Sequence, residues 1–493
     1  MNSNDSAVYS SVPKSREPRR LSACASFLLV GIVLVMLTGC GPKRMKADYI
    51  GFEKAYAETS NREVLLNLAR LQNHDTTYFF RLGQISSSYT MGASLAGSGQ
   101  YVIQGQGVGG GNAIGGGNPS VSFSNTPAFT FIPVNDETSA QLLLKPVPAQ
   151  TLYNLYLQGW RVDQLFRLMV DRIELTSANA DGKGCTVHTY RNVPPPVRSK
   201  LDTSSDKDYL LEASGYATFL RVSALVYGLQ KHGHLLLKGT SIFVPIDPKS
   251  AISAESDKAD STSPKPSDMA AAAAKNESWE YDDKLKRWIL GEQVFGAQFY
   301  LNDPSQIETD IKGDSRLEGL ENGESFKESV AILSGGFSIE EPRSGGSGND
   351  FCPSIPTGRA AVHLVMRSLV GLMAAVAQEQ APFEALLSNP TLLPKASPAD
   401  VRQMTFAQAV PPIERIPALR LRWNAEEKGG PPLVEVNYRG GNYEIADANN
   451  PQVPENQYWN RDMFRLVNQL TAQVTVDISK FPLPGILQLQ QLQ

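Results

Sequence analysis

The most restrictive feature of this chain is the segment 82–135, which contains no aspartate, glutamate, lysine or arginine. A glycine cluster at residues 105–117 lies between two runs in which apolar and polar residues alternate with a period of two. Such alternation is typical of a β-strand with one apolar and one polar face. The segment therefore predicts a β-hairpin with a glycine tip. Its apolar face consists of Ile85, Tyr89, Met91, Leu95, Phe123, Phe129 and Phe131.

Two environments fit this hairpin, and the sequence leaves both open. In the first, the apolar face covers the protein's own core and the polar face meets water. In the second, several subunits each donate residues 85–131 to a shared transmembrane barrel, in which a strand needs about 9–11 alternating residues. Pro127 and the glycines weaken a lipid-facing strand, so core cover is the favoured interpretation.

The N-terminus has the three parts of a secretion signal in their usual order. Residues 1–20 are polar and basic, residues 27–37 are apolar but shorter than the roughly 20 residues needed to cross a bilayer, and Leu37-Thr38-Gly39-Cys40 follows. This last motif resembles the lipobox of bacterial lipoproteins. The resemblance implies that residues 1–39 are removed as a signal peptide and that Cys40 carries the lipid. Gly41 then favours the outer membrane, with the chain facing the periplasm.

The remaining cysteines suit an exported protein. Cys24 leaves with the signal and Cys40 takes the lipid, so only Cys185 and Cys352 keep thiols. Two cysteines in an oxidising compartment indicate either one disulfide or two free buried thiols. Nothing in the local sequence decides between these alternatives.

The periodicities predict an α+β fold in which helices and antiparallel hairpins occupy two regions, 40–246 and 279–493. Residues 247–278 are rich in Ser, Ala, Lys, Asp and Pro and predict a disordered linker between the regions. A Gly-Gly pair at 440–441 predicts a type I′ hairpin turn, and Asn460 is expected to cap the helix that follows it. Further elements are expected as helices at 149–158, 162–173, 209–230 and 359–378, and as strands at 185–190, 234–246 and 294–301.

No catalytic residue, metal site or cofactor is expected from the sequence. His232-Gly233-His234 is the only close histidine pair, and no Cys, Asp or Glu lies nearby in the sequence to complete a ligand set, so a polar loop is favoured. Neither a nucleophile elbow nor a phosphate-binding loop is present in its required context. The net charge of −4 gives no basic signature for nucleic acid.

Three segments carry a resemblance to a family of uncharacterised bacterial envelope lipoproteins: 67–71 (Asn-Leu-Ala-Arg-Leu), 438–440 (Tyr-Arg-Gly, leading to Ile-Ala-Asp at 445–447) and 460–466 (Asn-Arg-Asp-Met-Phe-Arg-Leu). The resemblance implies no activity. The expected function is non-catalytic: an outer-membrane lipoprotein held by its N-terminal lipid, with a structural or partner-binding role toward envelope proteins. The alternative is an oligomeric outer-membrane pore or export component that uses the 85–131 hairpin.

Overall fold

The computed structural model describes residues 20–97, 117–133, 143–178, 185–197, 206–245, 252–253, 263–275, 277–282, 287–301, 309–310, 313–315, 337–339, 360–391, 393, 404–423, 432–446 and 453–475. The fold class is α+β, as the sequence predicts. The chain divides into two units, Met1–Asn61 and Arg62–Gln493. The boundary between them therefore does not fall at the predicted linker.

The helices are α1 (Arg20–Gln72), α2 (Ala149–Leu157), α3 (Val162–Met169), α4 (Asp206–Lys231), α5 (Pro266–Ala273), α6 (Leu369–Gln378), α7 (Gln380–Ser388), α8 (Phe406–Ala409) and α9 (Trp459–Thr475), with short 3-10 turns at Pro412–Glu414 and Pro454–Asn456. The strands are β1 (Phe80–Gly97), β2 (Gly117–Pro133), β3 (Val170–Ala178), β4 (Cys185–Arg191), β5 (Leu235–Pro245), β6 (Ile252–Ser253), β7 (Glu277–Asp282), β8 (Arg287–Leu301), β9 (Phe337–Ile339), β10 (Ala360–Met366), β11 (Leu421–Trp423), β12 (Val434–Tyr438) and β13 (Gly441–Ile445).

The largest sheet has the order β4-β3-β10-β9-β8-β5, with β6 and β7 also paired to β8. The β9–β10 pair is parallel and the other pairs are antiparallel. Strands from the predicted N-terminal region, 40–246, and from the predicted C-terminal region, 279–493, therefore stand side by side in one sheet. Pairings between residues so far apart in sequence leave no local signal, which is why the sequence pattern divides this unit at residues 247–278.

The segment predicted as a disordered linker contains short elements where the structure describes it. These are β6, α5 and the beginning of β7. Pro266 occupies the first position of α5, where its missing N–H costs nothing, and Asp268 lies in the first turn. The alanine run at 270–273 then continues the helix because alanine has the highest intrinsic helix propensity.

Two predicted helices are partly strand in the structure. The run 359–378 was expected as one helix, but residues 360–366 form β10 and the helix begins only at Leu369, with Ser368 as its N-cap. The predicted helix 162–173 ends at Met169, and β3 begins with the next residue. Both stretches are short apolar runs, and periodicity alone does not separate such a run in a strand from one in a buried helix.

A three-stranded sheet, β11-β13-β12, lies near the C-terminus. Its hairpin turn is formed by Arg439 and Gly440, which both have positive φ (49° and 79°), one residue before the predicted Gly-Gly turn. Gly441 instead begins β13. A side chain is excluded there, because a Cβ would lie 2.6 Å from the Trp423 Nε1 atom. The predicted cap, Asn460, lies within α9 and bonds to the backbone of Arg420 and Ala446. It therefore ties α9 to this sheet and does not begin the helix.

Candidate partner-binding site at the hairpin base

The predicted hairpin is confirmed as a two-stranded antiparallel sheet of β1 and β2. Its register pairs several apolar residues with each other, among them Ile85 with Phe129 and Met91 with Phe123, although Tyr89 stands opposite Asn125; on the other face it pairs Thr90 with Ser124. One extra residue, Gly83, shifts the register between Leu82 and Gln84. Directly paired residues share a face of a sheet, and the shift brings Leu82 and Phe131 onto the apolar face. The predicted glycine tip, residues 105–117, lies outside the described residues apart from Gly117.

The end of α1 fixes the strand that enters the hairpin. Asn67 is fully buried; its Nδ2 donates to the Tyr78 carbonyl (2.7 Å) and its Oδ1 accepts from the Tyr78 N–H (3.0 Å). Glu63 Oε1 accepts from the Phe80 N–H at 2.7 Å, at the first residue of β1. Burial raises the pKa of Glu63, while the bond from Phe80 and the charge of Arg70 act in the opposite direction.

An arginine stacked between two tyrosines joins the hairpin base to the small sheet. The Arg70 guanidinium lies 5.2 Å from the ring centre of Tyr78 and 6.0 Å from that of Tyr438, and it donates to Asn67 Oδ1. The Tyr438 hydroxyl in turn donates to Asp75 at 2.7 Å, and Arg439 forms an ion pair with the same carboxylate. Stacking of this kind holds an arginine in place while leaving part of its donors available.

The same area exposes large aromatic side chains. Tyr78, Phe80 and Trp423 are 57%, 52% and 55% exposed. The Trp423 indole is stacked on Tyr443 with ring centres 5.9 Å apart, and Asn73 donates to the Tyr443 hydroxyl, so the small sheet also bonds to the end of α1. We call this surface the aromatic patch; it comprises Arg70, Tyr78, Phe80, Trp423, Tyr438 and Arg439. Exposed tyrosine, tryptophan and arginine are the side chains most enriched at the energetic centres of protein interfaces.

The two histidines singled out by the sequence lie beside carboxylates from a distant segment. His234 Nε2 is 2.8 Å from Asp310 Oδ2, and His232 Nε2 is 3.6 Å from Asp314 Oδ2. A cleft of about 640 Å³ is lined by His232, both aspartates and Glu455. The sequence could not supply these partners, because they lie more than 70 residues away. In the part of the chain that the structure describes, no group of three or more His, Cys, Asp or Glu side chains is arranged to hold a metal ion.

The cysteines expected to carry modification or a disulfide are placed only in part. Cys40 lies in α1, within the unit Met1–Asn61. Cys185 is the first residue of β4 and pairs with Ala178. Cys352 lies outside the described residues, so the Cys185–Cys352 disulfide stays a prediction, as does lipidation of Cys40. Within the described ranges, no helix combines the length and apolar character needed to span a membrane.

The centre of the larger unit holds an ion pair with no access to water. Arg167 NH1 lies 2.7 Å from Glu414 Oε2, both side chains are at most 1% exposed, and the second Arg167 nitrogen donates to the Ile416 carbonyl. Burial raises the pKa of Glu414 to about 7, and Arg167 opposes that shift. These groups join α3 to the turn at 412–414, so their role is to hold the fold together.

Comparisons with protein-family models, with curated proteins and with solved structures find no match for this chain.

Proposed function

We propose that this chain is a non-catalytic lipoprotein, anchored to the outer membrane through a lipid on Cys40, that binds a protein partner in the cell envelope through the hairpin and the aromatic patch at its base. The observation that carries the proposal is the position of that patch. Tyr78 and Phe80 lie where the hairpin leaves the folded unit, and Trp423 lies on the small sheet that Tyr438 connects to Arg70. Each of these three aromatic side chains is more than half exposed. The three parts of the secretion signal, which follow one another in the usual order and end in the Leu37–Cys40 motif, support the lipid anchor.

The geometry of the patch suits binding because its parts are already fixed. Asn67 holds Tyr78 by two hydrogen bonds, Arg70 is stacked on two rings, and Trp423 is stacked on Tyr443. Side chains that are ordered before binding lose little conformational entropy when a partner arrives. A patch of this composition therefore offers rigid aromatic anchors with arginine donors between them.

Site-specific photo-crosslinking in living cells tests the proposal. A photoreactive residue at Phe80 or Trp423 should give a discrete crosslinked product, whereas the same residue at Tyr281, an exposed aromatic position in β7, should give at least about tenfold less. Cys40→Ala should abolish incorporation of a fatty-acid label and weaken the crosslink, because the chain is no longer held at the membrane. Equal labelling at Phe80, Trp423 and Tyr281 would overturn the binding site, and undiminished lipid labelling in Cys40→Ala would overturn the anchor.

A further inference from the structure

The hairpin has long outer edges. Within the described part of the chain, β1 (18 residues) and β2 (17 residues) pair with no strand other than each other, and at the base the Phe80 N–H donates to Glu63. The backbone groups on the outer side of each strand are then available to another strand. A two-stranded ribbon is at best marginally stable in water without further strands or a surface to pack against.

The usual protection of such edges is missing along most of β1. Natural edge strands carry charges, prolines or bulges that prevent another strand from adding. In β1 the only charged residue is Arg81 and the bulge is at Gly83, both at the base, and β1 contains no proline. In β2, Pro119, Pro127 and the terminal Pro133 each lack a backbone donor, but no charge is present. An unprotected edge of this length indicates a strand that is paired in the working assembly.

We infer that the hairpin's partner is a second copy of this chain, joined by backbone pairing between β2 of one copy and the outer edge of β1 of the next. The inference rests on the proposed function and names the partner. Copies related by a rotation about the membrane normal point the same way, so β2 of one and β1 of its neighbour run antiparallel, as the two strands do within one hairpin. The neighbour's β1 is also long, and beyond Arg81 at its base it carries no charge.

The register within one hairpin explains why the same chain fits. Apolar residues already stand opposite apolar residues, as Met91 does Phe123 and Ala93 does Val121. Repeating that alignment across the joint between copies continues a single apolar face from hairpin to hairpin. The joint is head-to-tail, so it leaves one free edge at each end and either closes into a ring or keeps growing. The oligomeric pore that is the alternative function expected from the sequence requires this arrangement.

Disulfide trapping between two differently tagged copies tests the inference in the full-length, detergent-extracted protein. Both chains carry Cys185→Ser and Cys352→Ser, in a background whose native mass is first shown to match that of the unaltered protein. One tag carries Met91→Cys, or Tyr89→Cys or Ala93→Cys to allow for register, and the other carries Phe123→Cys. A single chain with both Met91→Cys and Phe123→Cys reports the pairing within one hairpin. A matched control combines Phe123→Cys with Leu157→Cys, an exposed position in α2.

We expect a two-tag disulfide at one of the three β1 positions, at least tenfold above the Leu157 control, together with a native mass of several copies. A monomeric mass with the single-chain disulfide formed but no two-tag product would overturn the inference. So would failure of the single-chain disulfide, since the register itself would then be wrong. Crosslinks from Phe80 to a different protein, without two-tag disulfides, would leave the proposed function standing while removing self-association. Loss of both signals would remove both proposals.

Discussion

The hairpin and the centre of the larger unit use charge in opposite ways. In the centre, Arg167 and Glu414 are buried together, and the chain supplies each charge with its partner across 247 residues of sequence. In the hairpin, residues 82–135 contain no charge, and β1 and β2 find strand partners only in each other among the described residues. The ion pair in the centre has both of its partners within one chain, whereas the outer edges of the hairpin pair with no other described strand.

Under the proposed function, this difference separates the residues that stabilise the fold from the residues that bind a partner. A buried ion pair is weak evidence for function, because its desolvation cost offsets much of its attraction, but removing one partner is strongly destabilising. Because the hairpin pairs with no other described strand, we expect it to contribute little to the stability of the rest of the chain. Variants in the two regions should therefore differ in kind: changes in the centre should unfold the protein, and changes in the hairpin should alter association.

The largest effect is expected from Glu414→Leu. It leaves the Arg167 guanidinium buried without a counter-charge, and arginine does not deprotonate in proteins. The free energy of unfolding should fall by about 3–5 kcal/mol. Arg167→Met should cost less, about 1–3 kcal/mol, because Glu414 can take up a proton while the Ile416 carbonyl loses its donor. Denaturant unfolding of both variants shows which one loses more unfolding free energy. Equal losses would show that the unpaired charge of Arg167 is not what destabilises Glu414→Leu.

The second effect is a dependence of stability on pH that comes from Glu414. Its pKa is raised by burial to about 7 in the folded chain, above the ordinary value of 4.5. The folded state therefore holds a proton that the unfolded state releases, and this contribution is full below pH 4.5 and lost as the pH rises through 7. The unfolding free energy of the unaltered protein relative to Glu414→Gln should fall over that range. A difference that stays flat would mean that Glu414 is ionised throughout.

A smaller effect is expected where the small sheet meets the aromatic patch. In Gly441→Ala the new Cβ would lie 2.6 Å from Trp423 Nε1, so the half-exposed indole must leave its stack on Tyr443. We expect a loss of about 1 kcal/mol together with weaker crosslinking from Trp423. Gly440→Ala is the matched control. Its φ of 79° strains the turn at a similar cost, but its Cβ meets no atom within 4 Å, so crosslinking from Trp423 should stay unchanged.

The smallest effect on stability should come from removing the hairpin itself. Deletion of residues 85–131 takes away a sheet that pairs with no other described strand. The thermal midpoint of the remaining chain should move by less than it does in Glu414→Leu, while the native mass falls to that of one copy. A deletion that cannot fold would show that the hairpin covers the core, and Leu95→Lys should then destabilise the intact protein as well.

The hairpin was predictable from sequence because the signals that specify it all lie within one continuous segment. A period of two, a glycine cluster and the absence of charge fix the strands and their apolar face. The run 359–378 was not, since β10 reads Ala-Ala-Val-His-Leu-Val-Met, a composition that fits a strand or a helix. Only its pairing with β3 decides the outcome, and that pairing joins residues almost 200 positions apart.

The candidate site was predictable only in part, because most of its contacts join residues that are far apart in the sequence. The motif at 438–440 is visible in the sequence, but the stacking of Tyr438 on Arg70 depends on the fold. The exposure of Tyr78 and Phe80 follows from the way Asn67 holds the strand, and no periodicity reports it. For His232 and His234 the sequence predicts only a polar loop. Their carboxylate partners, Asp314 and Asp310, come close only in the tertiary structure.

The extra residue at Gly83 restricts how the hairpin can change in length over evolution or by design. Beyond the bulge the two strands match residue for residue as far as Gly97 and Gly117. Removing one residue from one strand would turn every later residue of that strand onto the opposite face. The hairpin can therefore be shortened or lengthened only in steps of two residues on both strands at once, each changing its reach by about 7 Å. In the inferred assembly, a step in one copy would leave two residues of its strand without partners on the neighbouring strand. The hairpins of one assembly should therefore all have the same length.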